Sequence, residues 1–226
     1  PLVKDLFFVP DLIGAPVGNM EIRRLYDAKM IMLKVRNNMS RWYNKVFKRI
    51  FDLIVSVIIM PIIAIIGIII MVCIYRESPG PVIFKHRRVG KNGRMFSCYK
   101  FRTMVMNAED VLEKSLKEDP SLRKEWEIAF KLKNDPRVTR VGAFLRKTSL
   151  DELPQIINVF LGQMSLVGPR PIITKEIERY EEYIQDYYLV PPGITGLWQV
   201  SGRSDTTYAE RVQMDTWYVR NWSVWI

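Results

Sequence analysis

The chain has very few of the side chains that commonly hold metals or cross-link a fold. Its 226 residues include one histidine, His86, and two cysteines, Cys73 and Cys98. A single histidine excludes sites built from several imidazoles and argues against a Ser-His-Asp triad. Cys73 lies in an apolar run and Cys98 in a strand-like stretch, so a disulfide framework is not expected and a reducing compartment is.

Acidic residues are also in the minority. The chain has 24 Asp and Glu against 34 Lys and Arg, a formal net charge of +10. Such a surface favours polyanionic partners, which are nucleic acid, substrate phosphates or an anionic bilayer. Aromatic residues are not interleaved with the basic runs as they are in single-strand-binding proteins, so no nucleic-acid partner is expected. The length suits one domain with a sizeable core and a smaller attached piece.

The longest apolar segment, residues 53–75, contains no charged side chain. As a helix it is long enough to cross a hydrocarbon core of about 30 Å. Basic residues flank both ends, which favours the cytoplasmic face for both and a segment that enters the membrane and returns. Pro61 would kink such a helix, and a kinked transmembrane helix is the alternative. Residues 44–52, which mix basic and apolar side chains, are typical of a helix lying among lipid headgroups.

The rest of the chain predicts an α+β fold that is mostly helical. Asn92 and Gly93 form a tight-turn pair between two strand-prone stretches, so a small β-hairpin is predicted within residues 78–104. Charged segments further on predict helices, the first of them broken at Pro120. The predicted helices cover residues 107–135, 137–149, 176–188 and 208–226, with a loop or short strand at 190–205 and a strand and linker in the first forty residues.

Two acidic residues, Asp151 and Glu152, stand side by side between basic residues. Ser149 followed by Glu152 fits a capping box, so the pair could serve only to start a helix. Carboxylates at a helix start can also do chemistry, one attacking phosphorus while the other holds a divalent cation. Arg146 and Arg170 nearby suit a pyrophosphate substrate. The scarcity of His and Cys points to an oxygen-ligated ion, Mg²⁺ or Mn²⁺.

Six blocks in order make the sequence similar to a known family. They are "KRIFDL", the apolar run with its central proline, "SPGPVIF", "RVGKNGRMFSCYKFRTM", "LRKTSLDELPQIINVFLGQMSLVGPRP" and "GITGLWQVSGR". Together they resemble the bacterial sugar transferase family, the monotopic phosphoglycosyl transferases that load a sugar-1-phosphate onto undecaprenyl phosphate. The resemblance covers roughly residues 45–226.

The resemblance implies an architecture. Residues 41–76 are expected to form an interfacial and re-entrant membrane helix with its hairpin at Pro61, and residues 77–226 a cytoplasmic catalytic domain. Residues 1–40 would be the remnant or linker of an upstream domain, as in long-form relatives, which also suggest a homodimer. The expected location is the bacterial inner membrane, against an anionic phospholipid bilayer. Some small members have serine where this chain has Met60, and Ser56 is the candidate to supply that serine's hydrogen bond.

The resemblance also implies a reaction. Asp151 is expected to attack the β-phosphorus of a UDP-sugar, releasing UMP, and undecaprenyl phosphate then takes the sugar phosphate from the aspartate. Glu152, with Asp151, is expected to bind Mg²⁺. The residues predicted to bind phosphate or substrate are Lys100, Arg102, Arg146, Arg170 and Arg203.

The expected sugar is galactose-1-phosphate, with glucose or an N-acetylated sugar as the alternative. The product would initiate O-antigen, capsule or exopolysaccharide synthesis. A different class of function, a non-catalytic scaffold anchored to the membrane, is the second hypothesis. Release of UMP from a UDP-sugar separates the two.

Overall fold

The computed structural model describes residues 20–25, 30–35, 42–129, 132, 134–201 and 206–222. The predicted site residue Arg203 lies outside these residues. The strands are β1 Met20–Leu25, β2 Met30–Val35, β3 Ile83–Val89, β4 Met95–Phe101, β5 Ser165–Val167 and β6 Gly193–Thr195. The α-helices are α1 Trp42–Glu77, α2 Ala108–Glu118, α3 Pro120–Ala129, α4 Arg140–Thr148, α5 Gln155–Phe160, α6 Ile184–Tyr188, α7 Leu197–Ser201 and α8 Tyr208–Asn221. The described part of the chain is therefore mostly helical with small sheets, as predicted.

The predicted β-hairpin is confirmed in β3 and β4. The two strands pair antiparallel from Ile83 opposite Phe101 to Val89 opposite Met95. At the turn, Asn92 and Gly93 have φ angles of 56° and 71°, in the left-handed region that these two residue types tolerate best. The helix break predicted at Pro120 is also confirmed, since α2 ends and α3 begins there.

Helix α1 is a continuous helix of 36 residues, about 54 Å long at the usual rise per residue, and it includes Pro61. It is the one helix in the described residues that is long and apolar enough to cross a membrane. Most of its large apolar side chains are exposed. The structure shows one helix through Pro61, so the hairpin bend stays a prediction. The suggestion for Ser56 is wrong, because its buried Oγ has no hydrogen-bond partner in the described part of the chain.

The first part of α1 is bonded to the rest of the fold through buried polar groups. Asp52, 2% exposed, accepts hydrogen bonds from Ser165 Oγ at 2.7 Å and from the Leu166 amide at 3.2 Å. One turn earlier, the Arg49 guanidinium donates to the carbonyl oxygens of Val159 and Phe160 at the end of α5. Unpaired carbonyls at a helix C-terminus favour such a cation.

The other end of α1 is bonded to the same folded unit. The Glu77 carboxylate accepts hydrogen bonds from the amides of Arg140 and Val141 at 2.7 and 2.9 Å, which caps the start of α4. Ile70 and Ile74 are buried against Phe101 and Leu145. Both ends of the apolar helix therefore contact one folded unit, which favours their lying on the same side of a membrane.

Residues 174–188 differ from the single α-helix predicted for 176–188. The structure has a 3-10 segment, Thr174–Tyr183, followed by the short helix α6, with a left-handed φ of 47° at Glu181. Long-range hydrogen bonds explain the difference. The Tyr180 hydroxyl donates to Asp215 at 2.8 Å and the Tyr187 hydroxyl to the Val89 carbonyl at 2.7 Å. Such buried bonds override local helical preference.

We predict that both ends of α1 are accessible from the same side of the membrane. The background is the full-length protein with Cys73 replaced by Ser and Cys98 by Ala. Two variants of it carry a single new cysteine, at Lys45 or at Lys85, and each is treated with a membrane-impermeant thiol reagent. Both should be labelled in lysates and neither in intact cells, because both flanks are basic and both ends of α1 contact one folded unit.

A cysteine at Lys114, on the exposed surface of α2, is the matched control and should follow the same pattern. Labelling of only one of the two flanking positions in intact cells would show that α1 crosses the membrane.

Candidate active site

The two acidic residues lie on a single 3-10 turn, Leu150–Glu152, between α4 and α5. Leu150 packs into the cluster around Phe101 and Leu145, and this fixes the turn against the fold. Successive residues of a 3-10 helix point about 120° apart, so the two carboxylates face different surroundings. The side chain of Asp151 is 13% exposed and that of Glu152 is 31% exposed.

The capping-box interpretation is wrong. Ser149 has a left-handed backbone, with φ 59° and ψ 16°, and its side chain makes no cap hydrogen bond. Its amide instead contacts the carbonyls of Leu145 and Arg146, so Ser149 ends α4 rather than beginning α5. Because α4 ends in this tight left-handed turn, Ser149 Oγ does not make the bond that a capping box requires.

Lys100, on β4, is the cation that the fold brings to the acidic pair. Its ammonium lies 2.6 Å from Glu152 Oε1 and 3.8 Å from Asp151 Oδ2. The first distance is a charge-assisted hydrogen bond and the second a looser electrostatic contact. The structure therefore brings together three of the predicted site residues.

Asn158 fixes the strand that carries Lys100. Its side chain is fully buried, donates to the Ser97 carbonyl at 2.8 Å and accepts from the Tyr99 amide at 3.0 Å. Asn158 lies on α5, which follows the acidic turn directly, so one buried amide sets β4 relative to the carboxylates. Leaving these backbone groups unpaired would cost about 1–3 kcal/mol.

The Asp151 side chain favours its protonated, neutral form more in the protein than it would in water. Burial raises the pKa of Asp151 above its usual value, and the nearby Glu152 charge raises it further. Lys100 and Arg146 act in the opposite direction and lower that pKa. A carboxylate that is partly desolvated but still reachable has lost part of the hydration that makes carboxylates poor nucleophiles.

Among the described residues, the other predicted phosphate-binding cations make no ion pair with the carboxylates. Arg102 is 9% exposed and donates to the Ser78 carbonyl, while its Nε and Nη1 have no partner among the described residues. Arg146 is exposed and its Nε donates to Thr103 Oγ1 at 2.9 Å. Arg170 is exposed, with its guanidinium carbon 5.8 Å from the centre of the Trp198 ring. Their roles in binding phosphate stay predictions.

A cavity of about 510 Å³ connects the acidic turn to the apolar helix. Ser149 and Glu152 of the acidic turn contribute polar lining, and Ile59 and Ile63 of α1 contribute apolar lining. Trp198 also faces this cavity and a smaller one that Arg170 lines. A ligand with a charged head and a hydrocarbon tail would match this change in polarity.

The two carboxylates have the chemistry of a magnesium site. No group of three or more His, Cys, Asp or Glu side chains in the described residues is arranged to hold a metal. Mg²⁺ commonly takes only one or two carboxylates and completes its shell with water and substrate phosphates. Asp151 and Glu152 therefore fit Mg²⁺ bound together with a phosphorylated substrate, and they do not fit a metal held by protein ligands alone.

Asp215 is a buried acid that the sequence reasoning missed. It lies on α8, is 2% exposed, and its pKa is raised by burial to about 7. Its Oδ1 has no hydrogen-bond partner within the described part of the chain. The sequence pattern could have identified it, because Asp215 lies at helical spacing from Val212 and Val219 and so places a carboxylate on the apolar face of the helix.

The sequence is similar to a described family and to several known proteins. Residues 43–226 match the family described as bacterial sugar transferase. The chain is 48% identical over 222 residues to the undecaprenyl-phosphate galactose phosphotransferase of Salmonella typhimurium, covering 98% of this chain and 46% of that protein. It is 47% identical to the exopolysaccharide production protein ExoY of Rhizobium meliloti, covering 96% and 86%.

A third relative has a different sugar in its name. The UDP-glucose:undecaprenyl-phosphate glucose-1-phosphate transferase of Klebsiella pneumoniae is 44% identical over 192 residues, covering 81% of this chain and 38% of that protein. The chain belongs to the bacterial sugar transferase family, and it spans about half the length of several of the curated relatives it matches.

We predict that Ser149→Gly does not destabilise the protein. Glycine tolerates a left-handed backbone that costs other residues about 1–2 kcal/mol, and its greater freedom in the unfolded state offsets part of that gain. The free energy of unfolding should rise by about 0.5 kcal/mol or stay unchanged, as measured by thermal or denaturant unfolding in detergent.

Thr207→Ala is the matched control, because Thr207 forms a true capping box with Glu210 at the start of α8. It should lose about 1 kcal/mol. Because glycine is itself tolerated at an N-cap, the capping role is tested by Ser149→Ala, which should leave the stability unchanged and would lose about 1 kcal/mol if Ser149 were a cap.

Proposed function

We propose that the chain transfers a sugar-1-phosphate, with galactose as the expected sugar, from a UDP-sugar to undecaprenyl phosphate. The observation that carries the proposal is the cavity joining Glu152 to Ile59 and Ile63 of α1. A water-soluble sugar nucleotide and a lipid phosphate must meet at the acidic turn, and this cavity is lined both by Glu152 of that turn and by apolar side chains of α1. The names of the Salmonella and Klebsiella relatives support the substrate class.

The proposed chemistry has two displacements at phosphorus. In the first, an Asp151 carboxylate oxygen bonds to the β-phosphorus of the UDP-sugar, and the bond from that phosphorus to the bridging oxygen breaks, releasing UMP. In the second, a phosphate oxygen of undecaprenyl phosphate bonds to the same phosphorus and the aspartyl–phosphorus bond breaks. Asp151 is regenerated and the sugar is left on undecaprenyl diphosphate.

The surroundings of the two acids support different roles for them. Glu152 bonds Lys100 at 2.6 Å, whereas Asp151 keeps only the looser contact at 3.8 Å and is the more buried of the two. Asp151 is therefore the better nucleophile. When bound with the substrate, Mg²⁺ would be held by Glu152 and Asp151 and would neutralise charge on the diphosphate. Lys100 would lie beside the same phosphates.

The proposed location follows from the helix. Because both ends of α1 contact one folded unit, we propose that α1 is a re-entrant segment and that the acidic pair faces the cytoplasm of a bacterial inner membrane. The enzyme would then meet UDP-sugar on the side where it is made. A homodimer is also proposed, because the sequence resembles the long-form members of the family.

We predict that Asp151→Asn keeps its fold and loses turnover by orders of magnitude, because the neutral amide lacks the nucleophilic carboxylate oxygen. If the protein were a catalytically inert membrane scaffold, this variant would behave like the wild type. Wild-type protein given UDP-galactose and Mg²⁺ without lipid acceptor should release UMP once and carry a sugar phosphate on the peptide containing Asp151. Intact-protein and peptide mass spectrometry after an acidic quench would detect this adduct.

The same incubation in EDTA should give no adduct, and added Mg²⁺ should restore it. Asp110→Asn, on the exposed face of α2, is the matched control and should form the adduct normally. Wild-type turnover by a folded Asp151→Asn variant would exclude the aspartate as nucleophile.

We predict that replacing Lys100 changes the pH dependence of the first displacement, in which UMP is released. Attack requires ionised Asp151, so the rate falls as pH falls through the pKa of that carboxyl. Lys100 lowers the pKa of Asp151. Lys100→Gln should therefore raise this pKa and move the acidic limb of the rate profile to higher pH, in addition to slowing the reaction. The measurement is the initial rate of UMP release across pH.

Lys147→Gln removes an equal charge from the exposed end of α4 and should leave the limb in place. If the acidic limbs of the rate profiles of the wild type and of Lys100→Gln lie at the same pH, the electrostatic role assigned to Lys100 is contradicted.

A further inference from the structure

A second cavity, of about 170 Å³, lies at the beginning of α1, and four of the nine residues that line it are cations. Lys45, Lys48 and Arg49 come from α1, and Lys91 comes from the tip of the β3–β4 hairpin. Asp52 is the one acidic side chain among the residues that line it. None of these residues belongs to the proposed catalytic machinery.

The charges in this cavity do not balance. Arg49 is bound to the carbonyls of Val159 and Phe160, and Lys48 lies 3.6 Å from Asp52. Within the part of the chain that the structure describes, neither Lys45 nor Lys91 forms an ion pair. Among the described residues, these two ammonium groups therefore share one concave site and neither is paired with an acidic side chain.

The fold keeps Lys45 close enough to Lys91 for its charge to act on Lys91. Burial lowers the pKa of Lys91 from its usual value, and the charge of Lys45 lowers it further. An anion between the two ammonium groups would remove that repulsion and would replace the water lost on burial.

The position of the cavity on α1 indicates which anion. The cationic side chains repeat at helical spacing on the side of α1 that faces the fold, whereas Val46, Phe47, Ile50 and Phe51 are each about half exposed on the remaining surface. Trp42, at the start of the helix, is 75% exposed and suits the membrane interface. A lipid whose chains lie along this apolar surface would bring its phosphate to the cavity.

The cavity is distant from the acidic pair. The two cavities approach each other on α1, where Asp52 and Ile59 are about 10 Å apart along the helix, but Lys45 is about 21 Å from Ile59. On the hairpin, Lys91 lies beyond Met95, and Met95 is about 17 Å along the strand from Lys100. A phosphate held by Lys45 and Lys91 is therefore not the phosphate that Asp151 would attack.

We propose that Lys45 and Lys91, with the cavity between them, bind the phosphate of an anionic membrane phospholipid beside the start of α1. The site attaches the hairpin tip to the membrane surface and so fixes the depth of the catalytic part. It does not rest on the proposed sugar transfer, since no catalytic residue takes part.

The test is lipid binding by the full chain in detergent. Phosphatidylglycerol is titrated in, with zwitterionic phosphatidylcholine as the reference lipid, and bound lipid is counted by native mass spectrometry. The wild type should retain one phosphatidylglycerol in preference to phosphatidylcholine. The double variant Lys45→Gln/Lys91→Gln should bind it about tenfold more weakly, because each lysine beside an anionic headgroup contributes measurably to the affinity.

Lys114→Gln/Lys117→Gln is the matched control. It removes the same charge from an exposed face of α2, where both lysines pair with glutamates. It should retain the lipid as the wild type does. Since Lys45 and Lys91 have no acidic partners, both double variants should unfold at the wild-type temperature, and the single variant Lys91→Gln gives a second measurement.

Two results would overturn the proposal. One is equal affinity of the wild type and the Lys45→Gln/Lys91→Gln variant for phosphatidylglycerol. The other is displacement of the lipid by millimolar inorganic phosphate but not by chloride at the same ionic strength, which would make the cavity a site for a free phosphate. Because lipid binding is read directly, failure here leaves the test of Asp151 unaffected.

Discussion

The arrangement of the whole site depends on the polar bonds that hold α1 to the rest of the fold. Near its start, Arg49 caps the end of α5 and Asp52 binds the strand β5. At its end, Glu77 caps the start of α4. The acidic turn lies between α4 and α5, so one helix holds both neighbours of the carboxylates. Asp52 is buried, and a buried charge that loses its partners costs several kcal/mol, which makes its bonds hard to exchange for others. The depth of the carboxylates relative to the lipid is therefore set by the same contacts that fold the protein.

This attachment explains how an exposed apolar helix and a basic, water-facing surface belong to one molecule. The large aliphatic side chains of α1 would destabilise a soluble protein, because an exposed apolar patch of this size favours association. In a bilayer the same surface is buried in lipid, while the polar contacts at the two ends of α1 stay with the folded unit. The cavity between Glu152 and Ile59 lies where these two environments meet. In the proposed reaction, a lipid phosphate would approach the acidic turn without leaving the membrane, and a sugar nucleotide would approach it without entering.

Local patterns in the sequence predicted the local features well. The Asn92-Gly93 turn, the break at Pro120 and the long apolar helix each depend on a few adjacent residues, and the structure contains all three. Contacts between distant residues were harder to predict. The bond from Lys100 to Glu152 spans 52 positions, and the bond from Asp52 to Ser165 spans 113. The capping-box prediction failed for the same reason. Four letters fit the motif, but the packing of Leu150 and Leu153 against Phe101 and Leu145 requires a left-handed turn at Ser149.

In the proposed reaction the two adjacent acids take different roles, because their surroundings on one 3-10 turn differ. A single carboxylate cannot be both strongly neutralised and strongly nucleophilic, since each close hydrogen bond from a cation withdraws charge from the attacking oxygen. In this structure the two properties belong to different carboxylates, because the Lys100 ammonium lies 2.6 Å from Glu152 and 3.8 Å from Asp151. Glu152 thereby keeps a positive charge beside the site of phosphate binding, while Asp151 stays less solvated and less neutralised. Exchanging the two side chains would keep every charge and still place the nucleophile on the wrong side of the turn, about 120° away.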